Sequence, residues 1–243
     1  MISIKQNTGF ADKGLSEIER KDVFIVIPAY NEATTVRQVI RELIEFFPHV
    51  VVVDDGSSDN TFLEAQASGA TLLRHVINLG QGAALQTGIE YSLRAGACVI
   101  VTFDADGQHC SEDVSKLVKP IFRGQAEIVL GSRFLGQAEN IPPSRWFLLK
   151  GAILFTRLVS GVSLTDVHNG LRAFSRKAAK DLDIKINRMA HASELIDQII
   201  KSNLRYIEVP VQLCYTDYTR KKGQKTFGAF RIVTDYILGR IFR

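Results

Sequence analysis

The sequence predicts an α/β protein: a doubly wound, mostly parallel sheet with helices on both faces. Three observations predict it. From Asp22 onward, short apolar runs alternate with segments of helical periodicity. The runs are apolar enough to be buried strands. Polar clusters follow the runs at four separate places, on the edge where such sheets bind ligands.

The elements follow in order. VFIVIP (23–28) reads as a buried strand closed by Pro28. Residues 33–46 read as a helix, with Val36, Val39, Ile40, Leu43 and Ile44 at core-facing spacing. VVVVDD (50–55) is a second strand ended by Gly56, and Asp59 is the expected N-cap of a helix through about Ala67. TLLRHV (71–76) is a third strand, 81–94 a helix, and Ala97–Phe103 a fourth strand. Ser111 is expected to cap a helix to about Val118, and AEIVLGS (126–132) is a fifth strand. The rhythm breaks after Gly136. Trp146–Val159 is apolar but cut by Lys150 and Arg157 on one helical face, which fits either a core helix with snorkelling cations or an interfacial helix on lipid.

Bulk properties set the bounds. A chain of 243 residues can bury one large core, and 46% hydrophobic with 23% charged residues is a globular composition. Residues 1–21 read as a polar extension and 22–243 as a single domain. The net charge is +4, and from Tyr218 onward seven Lys/Arg face one acid, Asp235. Such an end suits phosphate, an anionic membrane surface, or plain solvation. Nucleic acid is not expected, because the basic residues lack interleaved aromatics. Three scattered cysteines form neither a disulfide framework nor a zinc motif and fit a reducing cytosol, with Cys98 and Cys214 expected in the core. No apolar leader is expected at the N-terminus, and no window approaches ~18 uninterrupted apolar residues, so membrane contact is expected to be peripheral.

The chemistry concentrates at the strand ends. FDADGQH (103–109) delivers two carboxylates, Asp104 and Asp106, to the sheet edge, with Gln108 and His109 beside them. Paired hard oxygen donors suit a divalent cation that also holds phosphate oxygens, and a turn-capping pair is the plainer reading. Asp54 and Asp55 are adjacent and cannot both face inward, so one is available to a base or ribose while the other holds the turn. NLGQGAALQTGI (78–89) is Gly-rich before a helix, as in a phosphate cradle. It lacks the Lys-Ser/Thr of a triphosphate loop and the dinucleotide Gly spacing, which argues against a dehydrogenase, and Gly80 and Gly82 equally serve close packing.

Taken together, PAYNE (28–32), VVDDGSSD (52–59), NLGQGAALQTGI, FDADGQH, GSRF (131–134) and HNGLRAF (168–174) resemble the inverting family 2 glycosyltransferases of GT-A fold. Within them the chain is most similar to polyprenol-phosphate sugar synthases, the dolichyl-phosphate mannose and glucose synthases and their bacterial relatives, over about residues 22–230. Many of these continue into membrane-spanning helices, and some carry Lys where Gln81 stands.

The resemblance implies a nucleotide-sugar half (22–135) and an acceptor half with a basic C-terminal segment (136–243). It implies that Pro28, Ala29, Tyr30, Glu32, Asp54 and Asp55, with Gly80 and Gln81, form the donor pocket, and that Asp104, Ala105 and Asp106 lie against the diphosphate. Asp104, Asp106 and Gln108 would hold Mg²⁺ or Mn²⁺. Arg133 and Arg145 would meet phosphate, Asp166, His168, Asn169 and Arg172 would stand beside the acceptor, and Glu194 matches a recurrent acid. Arg220 and Lys225 would close over the diphosphate. The implied reaction is a single displacement from a GDP- or UDP-sugar to a polyprenyl phosphate or other lipid-linked acceptor, in the cytoplasm or on the cytoplasmic membrane face. A hydroxyl acceptor would need a base, Asp166 or Glu194. A non-catalytic sugar-nucleotide-binding subunit is the alternative of another class.

Overall fold

A computed structural model describes residues 14–139, 164–167, 169–184 and 191–214. Among them are seven strands and seven helices. A short helix α1 (Glu17–Lys21), closed by a Ser16–Glu19 capping box, precedes β1 (Val23–Ala29). Then follow α2 (Val36–Ile44), β2 (His49–Asp54), α3 (Thr61–Gln66), β3 (Thr71–Arg74), α4 (Gln81–Arg94), β4 (Val99–Thr102) and α5 (Glu112–Phe122). The second half supplies β5 (Ile128–Glu139), β6 (Arg172–Ser175), α6 (Arg176–Asp181), α7 (His191–Lys201) and β7 (Tyr206–Cys214).

The strands form one sheet in the order β3-β2-β1-β4-β6-β5-β7. All pairs are parallel except those of β6, which runs antiparallel to both β4 and β5. The fifth apolar run therefore does not sit beside the fourth. It is separated from it by β6, and β5 extends seven residues beyond the expected Ser132, with a register shift between Ser132 and Gln137 where it pairs with β7.

Alternation along the strands divides the core between the two faces. Val23, Ile25 and Ile27 of β1 pack with Val50 and Val52 of β2, Val39, Ile40 and Leu43 of α2, and Leu117 of α5. Phe24 and Val26 face the other way, toward Leu85 and Ile89 of α4, Ala178 of α6 and Leu195 and Ile199 of α7. Gly88 is required there, because a β-carbon would overlap the Val26 side chain. Pro28 lies beyond the last β1–β4 pair, Val26↔Thr102, where β1 has a neighbour on one side only.

Smaller expectations shift. The second helix begins at Val36 rather than 33, because residues 31–35 are held by the neighbouring loop instead. Asn60, not Asp59, is the N-cap of α3, although Asp59 Oδ1 still accepts from Thr61 N at 2.9 Å. Ser111 is the N-cap of α5 but makes no capping bond, and α5 runs past Val118 through Pro120 to Phe122. Cys98 is exposed rather than buried, since it faces away between the buried Ala97 and Val99. The side chain of Cys214 and the segment Trp146–Val159 lie outside the described residues.

Candidate functional site

The chain leaves β1 toward β2 on one side and returns from β3 to β4 on the other, so the sheet's topological switch point lies between β1 and β4. Ligand crevices of open α/β sheets form outside the carboxyl ends of such strands. The loop after β1 is stapled to the loop after β2. Asn31, at φ +55°, accepts from Ser58 N at 3.0 Å and donates its own N–H to Ser57 Oγ at 3.0 Å. Glu32 N donates to Thr61 Oγ1 at 2.8 Å. Pro28 and Ala29 are buried in β1, while Tyr30 is 45% exposed at the mouth of the crevice.

Asp54 and Asp55 are both buried and both hold loops. Asp54 Oδ1 accepts from Ser57 N at 3.1 Å, and Oδ2 lies 3.1 Å from Arg74 Nε. Asp55 reaches further. Its Oδ1 meets His75 Nδ1 at 2.7 Å and accepts from Leu79 N at 2.9 Å, and its Oδ2 accepts from Gly80 N at 2.7 Å. Gly80 is the N-cap of α4, at φ +100°. Asp55 thus places a carboxylate at the helix end that the glycines suggested as a phosphate cradle. His75 is fixed on its other nitrogen by Thr87 Oγ1 at 3.0 Å.

The Asp-x-Asp loop caps β4. Asp104 Oδ1 accepts from Gln81 Nε2 at 3.2 Å, and Oδ2 meets His109 Nε2 at 3.2 Å. Asp106 accepts from Gln108 N at 3.0 Å and Gln108 Nε2 at 2.7 Å. Ala105 is buried, and its carbonyl accepts from Thr35 Oγ1 at 2.8 Å, which ties this loop to the one after β1. Burial, then the neighbouring Asp104 charge, pushes the Asp106 carboxyl up to about 6. A positive charge placed beside the two carboxylates would relieve that cost.

The second half of the chain approaches the same edge through β6. Because β6 is antiparallel to β4, its first residues meet the end of β4. Thr102 Oγ1 donates to Gly170 O at 2.7 Å, and a β-carbon on Gly170 would fall on the Asp104 carboxylate. Asp166 Oδ2 accepts from Arg133 Nε at 2.6 Å, Arg133 N at 3.0 Å and Asn169 Nδ2 at 3.4 Å. Arg172 is buried and donates to Val167 O at 3.1 Å. Burial pulls its guanidinium down to about 10 against the opposing pull of Asp104 and Asp166, so one buried cation serves carboxylates of both halves. Glu194 is buried in the first turn of α7, next in sequence to Leu195 and Ile196 of the second core cluster. Arg145, His168, Arg220 and Lys225 lie outside the described residues.

Two groups escaped the sequence reading. Glu208 of β7 accepts from Thr165 N, Thr165 Oγ1 and Asp166 N at 2.9, 2.9 and 3.1 Å. A lone acid in the apolar run YIEVPVQL was its only signal. His109 was noted only as polar company for the aspartates, yet it contacts Asp104 directly and packs edge-on to Phe103.

Among the described residues no group of three or more His, Cys, Asp and Glu side chains is arranged to hold a metal ion by itself. The donor set still fits Mg²⁺ or Mn²⁺. Asp104 and Asp106 are hard carboxylates, Gln108 adds an amide oxygen, and such ions keep further positions for water and phosphate oxygens. The raised Asp106 pKa marks negative charge that a cation would offset.

Residues 24–183 match the family described as Glycosyl transferase family 2. The chain is 33% identical over 234 residues to the UDP-N-acetylglucosamine–dolichyl-phosphate N-acetylglucosaminyltransferase of Methanococcus voltae, covering 87% of this chain and 93% of that one. It is 30% identical over 200 residues to the polyprenol monophosphomannose synthase of Mycolicibacterium smegmatis, covering 77% and 75%. In three dimensions it resembles glucosyl-3-phosphoglycerate synthase of Mycobacterium tuberculosis, solved with Mn²⁺, UDP-glucose and phosphoglyceric acid. There the TM-score is 0.71 at 18% identity, over 94% of this chain and 83% of that one.

Proposed function

This chain belongs to glycosyl transferase family 2 and has the GT-A fold, and on that premise we propose that it transfers a sugar from a nucleoside-diphosphate donor to a polyprenyl phosphate. The observation that carries the proposal is the joining of two charged centres at one sheet edge. The acidic loop after β4 and the pair that Arg133 of β5 makes with Asp166 of the loop before β6 both act by charge on the buried Arg172. The first centre suits a cation-bound diphosphate, the second an anionic acceptor. Both named transferases above act on a lipid phosphate, which supports that acceptor class.

Asp104, Asp106 and Gln108 would hold the divalent cation, which when bound supplies positive charge for the departing nucleoside diphosphate. The chain's own residues do the rest. Asn31, Glu32 and Thr35 tie the loop after β1 to the loops after β2 and β4, fixing the crevice floor. Tyr30 offers a ring at its mouth. Arg133, held by Asp166, and the buried Arg172 place positive charge where an acceptor phosphate approaches. A phosphate monoester is already anionic, so the reaction needs no general base, and Asp166 serves to hold Arg133. Because the acceptor is lipid, the enzyme works at a membrane surface, on its cytoplasmic face, with UDP- or GDP-sugar as donor.

The test is transfer of radiolabel from UDP- and GDP-sugars to polyprenyl phosphate in detergent with Mn²⁺. Label in the organic phase, lost on chelation, is expected. Label only on a water-soluble hydroxyl acceptor would replace the acceptor assignment, and binding of donor with no transfer would make the chain a sugar-nucleotide-binding subunit.

A further inference from the structure

Among the described residues 164–167 and 169–171, the loop that carries Asp166 has no helix or strand of its own, yet Asp166 must stand within 3 Å of Arg133 to hold it. Something outside the loop has to fix it. Strand β7 places Glu208 opposite Leu130 of β5, three residues before Arg133. From there its Oε1 accepts from Thr165 N, Thr165 Oγ1 and Asp166 N, and its Oε2 from Thr165 N at 3.0 Å. The Thr165 hydroxyl also meets Ser132 Oγ at 2.6 Å, the residue next to Arg133.

We propose that Glu208 is a positioning residue: it sets the Asp166 loop against β5 and thereby aims Arg133 at the acceptor phosphate. A half-buried carboxylate is costly at this edge unless its oxygens are filled by donors, and these donors come from two consecutive residues of one loop. An apolar side chain would serve packing beside Ile207 and Val209 equally well. It would leave the Thr165 and Asp166 amides without the acceptor they have here. Glu208 touches no reacting atom. Its action passes through Thr165 and Asp166 to Arg133, so its loss should be felt on the acceptor and not on the donor. The aim at the acceptor rests on the transferase reading above, whereas the clamp itself does not.

The experiment compares the full chain with Glu208→Met, which keeps the side chain's length but offers no oxygen to the Thr165 and Asp166 donors. Thr165→Val is the second variant, which breaks the hydroxyl link while leaving β7 intact. Both should raise the KM for polyprenyl phosphate about tenfold or more, with donor KM and melting temperature little changed. In an Asp166→Asn background the Glu208 substitution should add almost nothing, because the two act as one unit. Equal changes in donor and acceptor KM, or independent effects in the double variant, would overturn the proposal. Should the wild type transfer nothing to polyprenyl phosphate, the acceptor reading fails separately. Amide exchange still decides the clamp: faster exchange at Asp166 and Arg133 in Glu208→Met supports it, and unchanged exchange refutes it.

Discussion

Asp106 carries an uncomfortable charge at the site, since burial and the Asp104 carboxylate both oppose its ionisation. Its folded-state pKa of about 6 stands above the ordinary 3.8, so between those values the folded protein binds more protons than the unfolded chain. This group therefore costs stability as pH rises through that window, and the full cost is present above pH 6. Asp106→Asn removes the charge and nearly keeps the shape. The metal-free variant should melt higher than wild type at pH 7.5, with the gap closing near pH 4, while turnover falls by about 10²-fold or more. Calorimetry at the two pH values checks the first part; a variant that melts lower at pH 7.5 would show that the carboxylate is not strained. The Asp-x-Asp pair was legible in sequence because an apolar run ends on it. Glu208 and the Asp55–His75–Thr87 contacts were not, because each partner lies 12 or more residues away and only the folded loops bring them together.

The elements show how far hydrophobic patterning reaches. Strands β1 to β4 and their helices were readable from runs and periodicity, since each is a local βα unit: β1, β2 and β3 are neighbours in space as in sequence, and β4 returns across the sheet to the free side of β1. The place of β6 was not readable, because RAFS carries no mark of which strands it will separate. That insertion has a consequence at the site: it delivers Gly170 to the Asp104 carboxylate and the buried Arg172 to a place where the charges of Asp104 and Asp166 both act on it. Gly170→Ala should push Asp104 out of place. Mn²⁺ affinity measured by titration calorimetry is expected to fall about tenfold or more. Unchanged affinity would mean that the close approach of β6 has no part in shaping the acidic loop.

At the scale of the molecule, the two core clusters hold a sheet whose switch point carries the acidic loop, while the second half brings a buried arginine pair to the same edge. The family and the fold were legible because six short motifs follow in order along the sequence, all but GSRF of β5 at a strand end or the start of a helix. Which group holds which loop was not, because it depends on side-chain geometry within those motifs. The claim on which the rest depends is that Asp104, Asp106 and Gln108 place a divalent cation against the donor diphosphate. The direct measurement is ³¹P relaxation of bound UDP or GDP in the presence of Mn²⁺. Strong broadening of both phosphorus signals on the wild-type protein, lost in Asp106→Asn while nucleotide still binds, is the predicted result. Equal broadening on the two proteins would contradict it.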